Sequence, residues 1–202
     1  MALIKNEIPI LEFDSEEKAV LMPGHGWDYK FTKKAVMLFM EPEIEEYVSK
    51  NKCEIVGKFE SVTKTFYVYR TVHKGVEITF CQAPLGGAGA VQIMEQLIAG
   101  GAIEKALMKN GKTYRKCKTW TTDGFYRETK EMVLYRKEEG YSVVEMECAS
   151  LAACAKMRGV IFGQLLFTAD SLANIEEHAE RNWGNEHFAY AMKLAFDAVL
   201  EV

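Results

Sequence analysis

Two glutamates separated by a single residue, Glu145 and Glu147, stand where an apolar strand-like run gives way to an Ala-rich helical run. The carboxyl end of a strand is where open α/β sheets build their ligand sites. A carboxylate placed there can accept two hydrogen bonds from vicinal hydroxyls, such as those of a ribose. An expected second strand, residues 160–167, delivers Asp170 to the same edge. A carboxylic acid in such a crevice can hand a proton to a leaving group when its surroundings raise its pKa. Each acid also has an ordinary reading, Glu147 as an acidic residue at a helix N-terminus and Asp170 as a turn cap. Their convergence on one sheet edge favours chemistry over capping.

Two further features belong to this edge. Gly86-Gly87-Ala88-Gly89 joins a buried strand to a helix N-terminus. Glycines there let the backbone approach an anion, and free helix amides supply donors, although a tight strand-to-helix turn uses the same residues. The spacing fits neither the dinucleotide fingerprint nor a P-loop, because no Gly-Lys-Ser/Thr follows. Phe125, in a Thr-Asp-Gly-Phe-Tyr turn after a strand, offers a face on which a planar base could stack. His25, His73, His178 and His187 show no metal-ligand or triad spacing, so metal catalysis is not expected.

Elements that would position these residues can be read from periodicity. Residues 53–58, 65–72 and 76–83 are β-branched and aromatic runs, with Lys74-Gly75 marking a hairpin. Val91, Met94, Leu97 and Ile98 recur at helical spacing until Gly100-Gly101 stops them. A helical turn is expected over residues 103–110, a strand through residues 116–121 and a charged helix over residues 127–139. Strand 141–147, helix 148–158 closed by Gly159, strand 160–167 and a final helix 186–201 follow. The first fifty residues show only a short strand near residues 9–13, a turn at Pro23-Gly24-His25-Gly26 and a helix over residues 43–52. Strands alternating with helices predict an α/β fold with a largely parallel sheet, in one domain spanning residues 1–202.

Composition narrows the class. With 202 residues, 49% hydrophobic and 27% charged, the chain has the profile of a globular protein. A net charge of −4 gives no reason to expect nucleic acid as a partner. The densest basic group, Lys112, Arg115, Lys116 and Lys118, reads as a solvated strand edge. Five cysteines without a Cys-x-x-Cys pair indicate neither a zinc site nor a disulfide framework. No basic-then-apolar leader or bilayer-length apolar run is found, so a cytoplasmic location without membrane partners is expected.

Together the pieces resemble the nucleoside phosphorylase family that includes uridine phosphorylase and the hexameric purine nucleoside phosphorylases. The resemblance rests on Val144-Glu145-Met146-Glu147 with its small-residue helix, on Gly159-Val160-Ile161-Phe162 with the downstream Asp170, and on Lys118 to Thr129. Val76 to Ala99 is similar to the family's strand, Gly-rich turn and helix. Pro9-Ile10-Leu11-Glu12-Phe13-Asp14 is similar to the opening of a uridine-phosphorylase-like branch. The resemblance implies a three-layer α/β fold whose mixed, largely parallel central sheet is flanked by helices. It implies that Glu147 holds ribose hydroxyls, Met146 packs on the sugar, Glu145 completes that motif, Phe125 packs against the base and Asp170 acts on the departing base. Phosphate, near Gly86 and Gly87, attacks the anomeric carbon to give ribose 1-phosphate and free base. Uridine is the favoured substrate, inorganic phosphate the co-substrate, and neither organic cofactor nor metal is needed. A homo-oligomer, dimer or hexamer, is also implied. The chain departs from the family after Gly100-Gly101-Ala102, which runs directly into Ile103-Glu104-Lys105 where members continue through another core strand, a Gly-rich turn and a loop. That shortened phosphate side keeps two other readings open: a nucleoside hydrolase of the same fold, and a non-catalytic nucleoside-binding homologue.

Overall fold

The computed structural model describes residues 3–8, 11–24, 26–102, 115–176, 179 and 181–201. Its elements in chain order are β1 (Leu3–Ile4), β2 (Phe13–Asp14), β3 (Ala35–Leu38), α1 (Glu41–Lys50), β4 (Glu54–Glu60), β5 (Thr65–His73) and β6 (Val76–Gln82). They continue with α2 (Gly87–Ala99), β7 (Lys118–Thr121), α3 (Lys130–Glu138), β8 (Tyr141–Glu145), α4 (Cys148–Arg158) and α5 (Phe188–Leu200). The helical turn expected over residues 103–110 lies outside the described residues, as do Lys112, His25 and His178.

A four-stranded sheet in the order β3-β6-β5-β4 forms the larger sheet. Its antiparallel part is the β4–β5–β6 meander, and β3 joins β6 in parallel with Ala35 opposite Thr79 and Leu38 opposite Gln82. Lys74 and Gly75 turn the β5–β6 hairpin with φ of 48° and 81°, the two positive values that a tight two-residue hairpin turn demands. β7 and β8 form a second, parallel pair, connected through α3. The α/β class and the mixed sheet flanked by helices are therefore as the sequence predicts. Antiparallel pairing is found in the meander, in the small β1–β2 ribbon and at the isolated Ser171–Ala179 bridge, and in the larger sheet it outnumbers the parallel β3–β6 pair, so that sheet is less parallel than the strand–helix alternation predicts.

The sequence does not announce β3. Ala35 to Met40 is apolar throughout, because each face of the strand meets a different part of the core. Val36, Leu38 and Met40 pack with Ile44, Phe80, Met192 and Phe196 on one side. Met37 and Phe39 pack on the other side, towards α2 and α4. A strand buried on both faces loses the apolar–polar alternation that marks a half-exposed one. Phe80 and Phe196, both fully buried with ring centroids 5.2 Å apart, tie β6 to α5. Cys81 and Cys154 are buried, Cys117 is exposed just before β7, and all five cysteines are free thiols.

One expected element is absent. Residues 160–167 form no strand: the Val160 amide donates to the Ala155 carbonyl at 3.0 Å, closing α4, and no ladder follows. The β-branched and aromatic run has the composition of a strand, but a strand needs a neighbouring edge with which to pair. Val160 and Phe162 pack instead on the contact between α2 and α4.

Candidate active site

β6 ends at Gln82 and β8 at Glu145, and the helices that follow them begin side by side. Gly86 is the residue before α2, and Glu147 the residue before α4. The Gly86 amide donates to Glu147 Oε1 at 2.7 Å, and the Met146 amide approaches Glu147 Oε2 at 3.3 Å. Glu147 is only 6% exposed. Burial pushes its carboxyl above the usual glutamate range, a rise opposed by the Gly86 and Met146 amides and reinforced by Glu145. A buried carboxylate held only by backbone amides keeps lone pairs for a ligand. No cation is among the groups that shift it.

The glycines earn their places by geometry. Gly86 has φ of +92°, a left-handed conformation that side chains resist. A Cβ on Gly87 would lie 2.3 Å from Ser150 Oγ and 2.8 Å from Ser150 Cβ, so the α2–α4 approach requires glycine here. The Gly86 amide already has Glu147 as its acceptor. An anion at this turn must displace that carboxylate or use the next amides along α2.

Glu145 has a different task. Its Oε2 accepts from the amides of Glu147 at 2.7 Å and Cys148 at 2.5 Å, while Oε1 accepts the Thr121 hydroxyl at 2.5 Å. Thr121 Oγ1 in turn accepts the Ala149 amide at 3.0 Å. The amides of Glu147, just before α4, and of Cys148 and Ala149 in its first turn are thus satisfied by one carboxylate and one hydroxyl, which fixes the backbone carrying Met146 and Glu147. Thr121 escaped the sequence reading. Its signal is a Thr ending a strand parallel to the one that carries the acids.

Phe125 follows β7 on a short 3-10 turn, Phe125–Arg127, anchored where the Thr122 amide meets the Glu145 carbonyl at 2.8 Å. Phe125 is 53% exposed, and its ring centroid lies 4.3 Å from that of Tyr126. Asp170 is half-buried and arrives on an irregular segment rather than on a strand end, next to a bridge between Ser171 and Ala179. The structure therefore unites Gly86, Gly87, Glu145, Met146 and Glu147 in one corner, with Phe125 and Asp170 on separate loops. Leu85, Glu145 and Glu147 also border an apolar cavity of about 570 Å³. Among the described residues, no group of three or more His, Cys, Asp or Glu could hold a metal ion, and no helix is long and apolar enough to cross a membrane.

Comparison with known proteins bears on the fold and the family. The uridine phosphorylase of Vibrio fischeri ES114 is similar in fold, with a TM-score of 0.60 at 15% identity over 91% of this chain and 98% of that one. The same enzyme complexed with 6-hydroxy-1-naphthoic acid matches with a TM-score of 0.56 at 15% identity, over 85% of this chain and 90% of that one. No curated protein matches the sequence. A family model described as the phosphorylase superfamily matches residues 99–201, the half that contains β7, β8, α4 and both glutamates. By that match, and with the fold of a uridine phosphorylase, the chain belongs to the phosphorylase superfamily, as the nucleoside phosphorylases do.

Proposed function

We propose that the protein cleaves the N-glycosidic bond of a nucleoside with inorganic phosphate, releasing the base and ribose 1-phosphate, and that uridine is its favoured substrate. The observation that carries this reading is the buried Glu147 carboxylate, held by backbone amides where α2 and α4 begin. In this reading Glu147 accepts the 2′ and 3′ hydroxyls, and Met146 lies against the sugar. Glu145, with Thr121, keeps the motif in place. Phe125 covers the base, and Asp170 supports the charge that grows on the base as it leaves. Phosphate approaches the anomeric carbon from the Gly86–Gly87 turn, where positive helix dipole ends favour an anion. Positioning and charge stabilisation supply the acceleration, since both reactants are held against an oxocarbenium-like sugar. No metal or organic cofactor takes part, and the enzyme works as a cytoplasmic homo-oligomer.

The Gly86–Glu147 hydrogen bond also favours a second reading, in which the turn is already neutralised and water replaces phosphate as the nucleophile. Uridine and inosine cleavage, followed with and without phosphate and with the sugar product identified, separates the two. Phosphate-dependent ribose 1-phosphate is the expected result; free ribose at an unchanged rate without phosphate identifies a hydrolase. Absence of both turnover and nucleoside binding in folded protein refutes both.

A further inference from the structure

Two strand edges border the apolar cavity of about 570 Å³. The carbonyls of Lys34 and Leu38 accept from Thr79 and Ala83 at 3.0 Å and 2.8 Å. On β3 the peptide groups of even-numbered residues therefore face β6, and those of Ala35, Met37 and Phe39 face away. The Glu145 carbonyl accepts from Thr122 at 2.8 Å, on the β7 side, so on β8 the peptide groups of Ser142 and Val144 face away from β7. Among the described residues neither outer edge has a partner strand. β3 runs parallel to β6 and β8 to β7, and the helices after β6 and β8 begin together, so all four strands point to one edge.

A third segment borders the same cavity over its whole length, residues 160–167. It has the form of a strand without the ladder. No turn or bend interrupts it. The Val160 amide closes α4, and among the described residues no other backbone hydrogen bond ties the run to a neighbour. Its side chains nonetheless take opposite sides, as those of a strand do. Val160 and Phe162 pack where α2 meets α4, whereas the Phe167 ring meets Phe188 of α5 with centroids 5.5 Å apart. β3 divides in the same way, Met37 and Phe39 towards α2 and α4, Val36 and Leu38 towards α5. The connection fits as well: residues 146–159, which contain α4, make a crossover long enough to link neighbouring parallel strands.

We infer that residues 160–167 are a strap that closes into this cavity as a parallel strand between β3 and β8. The structure holds the strap open. Closure joins the two sheets into one and gives the peptide groups of Ala35, Met37 and Phe39 the partners that buried backbone requires. The chain's own segment is the occupant, because it already borders the cavity and is tethered there by α4, which makes pairing an intramolecular event. An apolar run suits the place, since strands covered on both faces in parallel sheets are apolar throughout. Asp170 lies three residues beyond the strap, so closure carries it to the edge where Glu145 and Glu147 stand. A nucleoside that engages Asp170 favours the closed form by the difference in its affinity for the two forms. That coupling rests on the role proposed above for Asp170.

Cysteine pairs in the full chain test the closure. Ala35→Cys is combined in turn with Val160→Cys, Ile161→Cys, Phe162→Cys, Gly163→Cys and Gln164→Cys, and the folded variants are oxidised with diamide and mapped by mass spectrometry. A disulfide needs Cα atoms within about 7 Å, which adjacent strands provide and segments held apart by a cavity do not. Among positions 160, 162 and 164 at least one should link to residue 35 about tenfold faster than 161 or 163, because even positions share its face. Bound uridine or inosine should speed the link, and an unchanged rate in nucleoside-bound protein overturns the coupling to Asp170. Linking at odd and even positions alike, or at none, overturns the closure, even where the wild type cleaves nucleosides. Alternating links in a chain that binds no nucleoside uphold the closure and refute the proposed function instead. A second variant covers pairs that do not fold. Gly163 has no positive φ and open space where a Cβ would lie, so Gly163→Val is compatible with the fold and favours the strand. It should slow hydrogen exchange at the Met37 and Phe39 amides about tenfold or more; unchanged exchange there overturns the proposal.

Discussion

Among the described residues the molecule buries two carboxylates, at opposite corners, and treats them in opposite ways. Asp197, on α5, lies 2.7 Å from His73 Nε2 and 2.6 Å from Lys74 Nζ at the β5–β6 turn. Lys74 first, then His73, hold its carboxyl below the usual aspartate range. Glu147 has only backbone amides against it, and burial pushes it the other way. A carboxylate beside cations is a clamp, because its charge is spent inside the fold. A carboxylate buried without one retains unspent affinity for hydrogen-bond donors. In the proposed reading the contrast separates a structural acid, Asp197, from a binding acid, Glu147.

Activity offers the strongest challenge to that distinction. Glu147→Ala should lower kcat/KM for uridine about 100- to 1000-fold, through the loss of two charge-assisted hydrogen bonds to the diol. Asp197→Asn should leave kcat/KM within about twofold. Equal losses in both variants would erase the comparison. Next in size is Gly87→Ala, whose new methyl group meets Ser150 Cβ at 2.8 Å. It should cost about 2–3 kcal/mol in urea unfolding. Ser150→Gly should restore part of that loss, since it removes the atoms in conflict, whereas Ser150→Ala leaves the Cβ and restores less.

Stability against pH refines the comparison at smaller amplitude. Asp197 is depressed in the folded state, so its contribution is present above the unfolded value near 3.9 and is lost as pH falls through the folded one. Asp197→Asn should therefore cost about 1.5–2 kcal/mol at neutral pH, and the gap to wild type should close in acid. Glu147 is raised, so its contribution is present below the unfolded value near 4.3 and is lost as pH rises through the folded one. Wild type should accordingly gain on Glu147→Gln as pH falls from 7 to 4, by about 1 kcal/mol or less. Thermal unfolding followed from pH 7 into acid should give opposite trends, the Glu147→Gln gap opening between pH 7 and 4 and the Asp197→Asn gap closing only below about 4.

Legibility in the sequence followed the range of the interactions. The β4–β5–β6 meander, α2, α4 and α5 were readable because hairpin turns and helical periodicity are local signals. Glu145 and Glu147 were readable as a pair at a strand end, but not their division of labour. That division depends on a hydroxyl from β7 and an amide from Gly86, distant in sequence and adjacent only in the fold. β3 was missed because a strand covered on both faces carries no alternation. Residues 160–167 misled for the complementary reason: composition declares the readiness to form a strand, while a partner edge decides whether one forms.

The distribution of thiols has a practical consequence. Burial pushes Cys81 up to about 12 and Cys154, beside Glu95, up to about 11, and it raises Cys53 and Cys148 as well. Since thiolate is the reacting species, alkylating reagents at neutral pH should modify Cys117 first, the exposed residue one position before β7. A single dye or spin label can thus be attached without mutagenesis, on the strand whose last residue, Thr121, braces the start of α4. The protein comes with its own handle for watching that corner respond to a nucleoside.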